Sequence, residues 1–218
     1  MKQGGGGAAR SRALRAGVIL LGLAALAGCG ALRSDRAVDQ VYVLQPGAPV
    51  AATNPVPAIL RVVRPEVQPG LDTHMIAITR PGNELDYIAG SRWGTPLPKV
   101  VAAFAVESLS RSGEFQVTVG TEPGSVQGNF ELLLTVRHFE AAYAAGGAPT
   151  ARVAFECVVT TGAPRRVLGR CDATAEQPAS DNRVGAIVQA LEKATQQVMA
   201  SIGTAAAQLA RAELAAGK

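Results

Sequence analysis

A thirteen-residue apolar run, Ala16 to Gly28, is followed at once by Cys29, and this junction decides how much of the chain is available to fold. Lys2, Arg10, Arg12 and Arg15 precede the run, with no acidic residue among them. Thirteen residues are too few to cross a hydrocarbon core, which needs about 20. A basic start, a short apolar stretch and small residues before a cleavage point are the three parts of a secretory leader. The tetrapeptide Leu26-Ala27-Gly28-Cys29 adds a thiol at the new N-terminus. The expected processing is removal of residues 1–28. Cys29 then carries a thioether-linked diacylglycerol, and its freed amine carries a further palmitate-like acyl chain. Two or more chains hold a protein on a membrane stably, at about 0.8 kcal/mol per buried methylene. Gly30, where an Asp would signal inner-membrane retention, favours the outer membrane. The domain is thus expected on the periplasmic face of the envelope.

Processing changes the charge balance. Four of the 21 Lys and Arg, and none of the 17 Asp and Glu, lie in residues 1–28, which leaves 17 of each sign. The basic balance of the whole chain therefore belongs to the leader. No cationic field remains to suggest nucleic acid as a partner. Residues 29–40 are short and polar and read as a tether. Residues 41–203 suit one domain, and the alanine-rich residues 204–218 read as an exposed helical extension.

The periodicities alternate between two and 3.6. Strands are expected at 41–44, 58–64, 75–80 and 85–89, the last two joined by the turn residues Pro81-Gly82-Asn83. A helix follows, with Thr95 as its cap, Pro96 in its first turn and Gly113 at its end. Strands at 115–119 and 129–143 come next. In the longer one, Phe130, Leu132, Leu134 and Val136 share a face, and His138 falls on that same face by alternation. A long helix with Val184, Ile187, Val188, Leu191, Ala194, Val198 and Ile202 on one stripe closes the domain, capped by Ser180 or Asp181, with Gly203 as a point of bending. This order predicts an α+β fold: a mixed or antiparallel sheet with two main helices packed on it.

The most constrained pairing lies between 153 and 174. Val153, Phe155, Cys157 and Val159 alternate on one face, and Gly162-Ala163-Pro164-Arg165 forms the turn. Opposed residues in an antiparallel pair have a constant sum. A turn centred on Pro164 gives 328, and Cys157 and Cys171 satisfy it. Directly opposed Cβ atoms lie about 4.5–5.5 Å apart, near enough to bridge, and an envelope compartment preserves disulfides. The same register sets Glu156 against Asp172, which argues against it, with Arg170 placed to soften the repulsion.

No catalytic constellation accompanies these elements. The two histidines, His74 and His138, have no neighbouring ligand cluster, so neither a metal site nor a cofactor is expected beyond the acyl groups on Cys29. Nucleophile elbows and phosphate-binding glycine loops are missing. The chain reads as a non-enzyme. Its distinctive segment runs from Tyr87 to Leu97, between strand and helix, and holds the single Trp, next to Arg92 in what reads as a loop. Tyr87, Arg92 and Trp93 are interface candidates, because such residue types anchor protein contacts. Packing of Trp93 beneath the following helix is the alternative.

In this order the motifs resemble the ABC-type transport auxiliary lipoprotein family, which includes the lipoprotein of the paraquat-inducible system. The resemblance rests on Cys29, Tyr42–Leu44, Arg64-Pro65, Gly70-Leu71-Asp72-Thr73, the tyrosine strand running into Ser91-Arg92-Trp93, and Ser112-Gly113-Glu114-Phe115. It implies an auxiliary subunit of an MCE-type ABC system that moves lipids or other hydrophobic molecules. Its partner would be a periplasmic MCE protein, with an inner-membrane permease and an ATPase behind it, and some relatives assemble as rings. Two other roles fit the sequence: a lone lipoprotein binding a small apolar ligand, and an outer-membrane assembly factor.

Overall fold

The structure is a computed structural model that describes residues 39–49, 52–121, 126–144 and 146–217. The leader, Cys29 and the tether up to residue 38 lie outside the described residues.

Nine strands form one mixed sheet. They are β1 (Gln40–Tyr42), β2 (Val56–Val62), β3 (Glu66–Val67), β4 (Met75–Arg80), β5 (Glu84–Trp93), β6 (Phe115–Val119), β7 (Phe130–Ala142), β8 (Thr150–Thr161) and β9 (Val167–Pro178). Helix α1 (Leu97–Ser112) connects β5 to β6, and α2 (Val184–Ala216) ends the chain. The α+β class expected from the sequence is therefore the one observed.

Strand β7 organises the sheet. One edge pairs antiparallel with β8. The other is shared in succession by three parallel strands, through Leu60 opposite Phe130, Glu66 opposite Thr135 and Ile78 opposite Ala141. Pro65 separates β2 from β3, since it has no N–H to give a ladder. The two-residue β3 was not anticipated. Beyond β4 the sheet continues through antiparallel β5 to parallel β1.

The alternation on β7 changes phase midway. Phe130, Leu132, Leu134 and Val136 are buried, as expected, but the register then shifts between Val136 and His138. The extra residue, Arg137, is a bulge. Past it, Phe139 and Ala141 point inward, and His138 turns outward to meet the Glu140 carboxylate at 2.8 Å. The placement of His138 on the Val136 face is corrected accordingly.

Both helices cover the buried face of the sheet. Helix α2 lies along β8 and β9, and α1 lies beside α2 and β6. Thr95 does not cap α1; Pro96 and Pro98 occupy its start, where a missing N–H costs nothing. Gly113 ends it with φ 65°, a conformation that glycine adopts freely. Asp181 accepts a hydrogen bond from the Arg183 N–H ahead of α2. Helix α2 runs unbroken through Gly203, where a Cβ would come within 2.9 Å of Leu109 Cδ2, so its small size lets the two helices approach. The alanine-rich end packs on the domain as far as residue 210, and residues 214–217 are exposed. Ala206, Ala207 and Ala210 are fully buried, and Arg211 binds the Glu114 carboxylate at 2.7 Å.

The β8–β9 register follows the sum of 328, with Cys157 opposite Cys171 and Glu156 opposite Asp172. The two cysteines form a disulfide, with Cα atoms 4.9 Å apart. The like-charge pair is relieved by Arg137, which donates to Glu156 at 2.6 Å.

Candidate docking surface

Residues 90–93, expected as a loop, are strand. Strand β5 runs on to Trp93, and β1 arrives from the start of the domain to pair with its end. The register sets Val41 against Arg92 and Tyr42 against Trp93, while on the other side Met75 of β4 opposes Arg92. Cross-strand partners share a face of a sheet. Val41, Arg92 and Met75 thus form a row on the face without helices, and Trp93 with Tyr42 points to the opposite, buried side.

Burial separates the candidate residues. Trp93 is 1% exposed and packs edge to face with Phe139, ring centroids 5.9 Å apart. Phe139 in turn stacks on Phe155. The Trp93 N–H donates to the His74 carbonyl at 2.7 Å. Trp93 is therefore a core residue that fixes the backbone of Arg92, a correction to its candidacy as a contact residue. The Arg92 side chain is 41% exposed and reaches the Asp39 carboxylate at 3.5 Å. Such an exposed pair leaves the guanidinium available. Tyr87 is half-buried, and its hydroxyl donates to the Gly70 carbonyl at 2.8 Å. Gly70 has φ 90°, a conformation that favours glycine, and it lies close beneath the Leu85 side chain.

Around Arg92 and Tyr87 lie four exposed large apolar side chains, Val41, Val43, Met75 and Leu85. They are half of the eight such residues among those described. Clustered exposed apolar groups mark interaction sites, whereas scattered ones need no explanation. Asp86 stays charged beside them. Its pKa is held below the ordinary carboxylate value by the Tyr87 backbone N–H, then by hydrogen bonding to Arg80. The apolar row escaped the sequence reading because it is assembled from three strands; the only local signal was the parity of Met75 and Leu85.

Further along the same face the character becomes ionic. A groove of about 530 Å3 runs over β7, with Arg64 and Glu66 on one side, Arg170 and Asp172 on the other, and Leu133 and Thr135 beneath. Beyond the groove, nearer the start of β7, Glu131 is buried between Arg61 and Arg165. Among the described residues no three His, Cys, Asp or Glu side chains are grouped to hold a metal ion. No described helix is long and apolar enough to cross a membrane.

The fold and this surface define a one-sided sheet domain: helices cover one face, and the other carries an apolar row grading into charges. The chain belongs to the family of ABC-type transport auxiliary lipoprotein components, which matches residues 42–203. It is thus an envelope lipoprotein of the class associated with ABC transport. Its fold is similar to that of a Xanthomonas campestris protein of the DUF330 family, with a TM-score of 0.72 at 20% identity over 80% of this chain and 98% of that one. A second structure, of an uncharacterized protein, is similar with a TM-score of 0.61 at 15% identity, covering 77% of this chain and 98% of the other. No curated protein matches the sequence.

Proposed function

We propose that the chain is a membrane-anchored periplasmic adaptor, an auxiliary subunit of an MCE-type ABC system that moves lipids or other hydrophobic molecules. In this reading Cys29 carries the lipid anchor, the residues between it and Asp39 are the tether, and the outer membrane holds it. The domain binds a periplasmic MCE protein by direct contact, and permease and ATPase are reached through that partner.

The observation that carries the reading is the row Val41–Arg92–Met75, flanked by Tyr87, Val43 and Leu85. It combines a central Arg with Met and aliphatic side chains and stands on a rigid sheet rather than a loop. Interface centres are enriched in aromatic residues, Met and Arg. Trp93 contributes from behind by holding β5 in register. Family membership supplies the transport context.

The test is capture of the full-length protein from crosslinked cell membranes, followed by identification of what accompanies it. Recovery of an MCE protein with its permease and ATPase supports the proposal. Recovery of the lipoprotein without them, or with a barrel protein alone, refutes it.

A further inference from the structure

Helix α1 carries two stripes. Val101, Phe104, Ala105 and Leu109 are buried in the core. Ala102, Ala103 and Val106 lie to one side and, with Val62 at the end of β2, line a groove between α1 and the ends of β2 and β6. The groove is open along one side and has a volume of about 610 Å3, within the ~300–1,000 Å3 of small-ligand sites. Its charged members are Lys99, Arg64 and Glu107. Glu107 is engaged by Arg111 at 2.5 Å. Lys99 and Arg64 form no ion pair among the described residues.

An apolar floor with two exposed cations beside it, unpaired among the described residues, selects for a molecule with an apolar body and one anionic end. Cations on a protein surface are ordinarily solvated or paired, and a carboxylate would give each a charge-assisted hydrogen bond. A neutral apolar ligand would leave both cations unused, and a polar anion would leave the floor bare. We infer that this groove binds a long-chain fatty acid, with its chain along Ala102, Ala103 and Val106 and its carboxylate between Lys99 and Arg64. The groove lies beside α1, away from the Arg92 row, so the inference stands or falls separately from the adaptor reading.

The experiment uses the full acylated protein in proteoliposomes with a long-chain fatty acid bearing a mid-chain diazirine. After irradiation and trypsin, label is expected on residues 100–111, which are bounded by Lys99 and Arg111. Lys99→Glu is expected to reduce this label about tenfold, the equivalent of one charge-assisted contact, now read on residues 93–111 because the cleavage site is lost. Ala103→Trp, a change at an exposed helix position, is expected to abolish label by filling the groove. The matching diazirine alcohol should label weakly. Label confined to other peptides would overturn the inference, as would label on residues 100–111 that is indifferent to Lys99→Glu and equally strong with the alcohol.

Discussion

The Trp93 and Phe139 rings meet edge to face at an interplanar angle of 69°, and this contact joins the end of β5 to the far half of β7. It exists because of the bulge at Arg137. Unbroken alternation would point Phe139 outward and leave Trp93 without an aromatic partner. With the bulge, Trp93, Phe139 and Phe155 form one buried aromatic series that fixes the strand carrying Arg92.

Trp93→Ala is therefore expected to destabilise the domain by ~3–5 kcal/mol, the range for removing a buried large aromatic side chain. Urea unfolding measures it through the midpoint at constant slope. A loss below ~1 kcal/mol would place Trp93 outside the cooperative core.

Arg92→Glu separates binding from folding. The Arg92–Asp39 pair is exposed and contributes at most about 1 kcal/mol, so the unfolding midpoint should barely move. Capture of the partner should fall about tenfold or more, as for a central interface arginine. An equal loss of stability and binding would make Arg92 a structural residue.

The Cys157–Cys171 bridge closes a segment with a sequence separation of 14. In the loop-entropy account such a closure contributes about 3 kcal/mol. Intact mass after alkylation without reductant should show both thiols blocked, and the Cys157→Ala, Cys171→Ala double variant should unfold at lower urea. Two alkylated thiols in envelope-derived protein would contradict the bridge.

Stability should weaken in acid partly through Glu156. Its folded pKa lies below the ordinary 4.5, chiefly through the hydrogen bond from Arg137 and also through the charges of Arg137 and Arg170. A depressed carboxylate pKa gives stability that is present above the unfolded value and is lost as pH falls through the folded one. In Arg137→Ala the Glu156 carboxyl should titrate at higher pH, and the acid limb of the stability profile should flatten. NMR titration of the Glu156 side chain reads this; an unmoved titration would show that Arg137 does not hold it.

The β8–β9 hairpin was legible because its information is local: two alternating runs, one turn, and a register fixed by arithmetic on Pro164. The ends of β4 and β6 were legible for the same reason. What escaped depends on distant partners. Ser91-Arg92-Trp93 becomes strand because β1, some fifty residues upstream, lies beside it. The bulge at Arg137 leaves no mark, since a polar residue there also fits plain alternation. Ala206, Ala207 and Ala210 lack the bulk that signals a core stripe, yet small side chains are what close helix packing requires. Of the candidate surface, Tyr87 and Arg92 stand out by residue type, but the apolar neighbours beside them needed the three-strand register.

The most direct test of the docking account places a photo-crosslinking amino acid at Arg92, in the centre of the row, and irradiates intact cells. The account predicts a crosslink to a periplasmic MCE protein, absent when the same amino acid replaces Val167 on the distant strand β9. A crosslink from position 92 only to a barrel protein or to no protein, with the domain folded and membrane-bound, would contradict it.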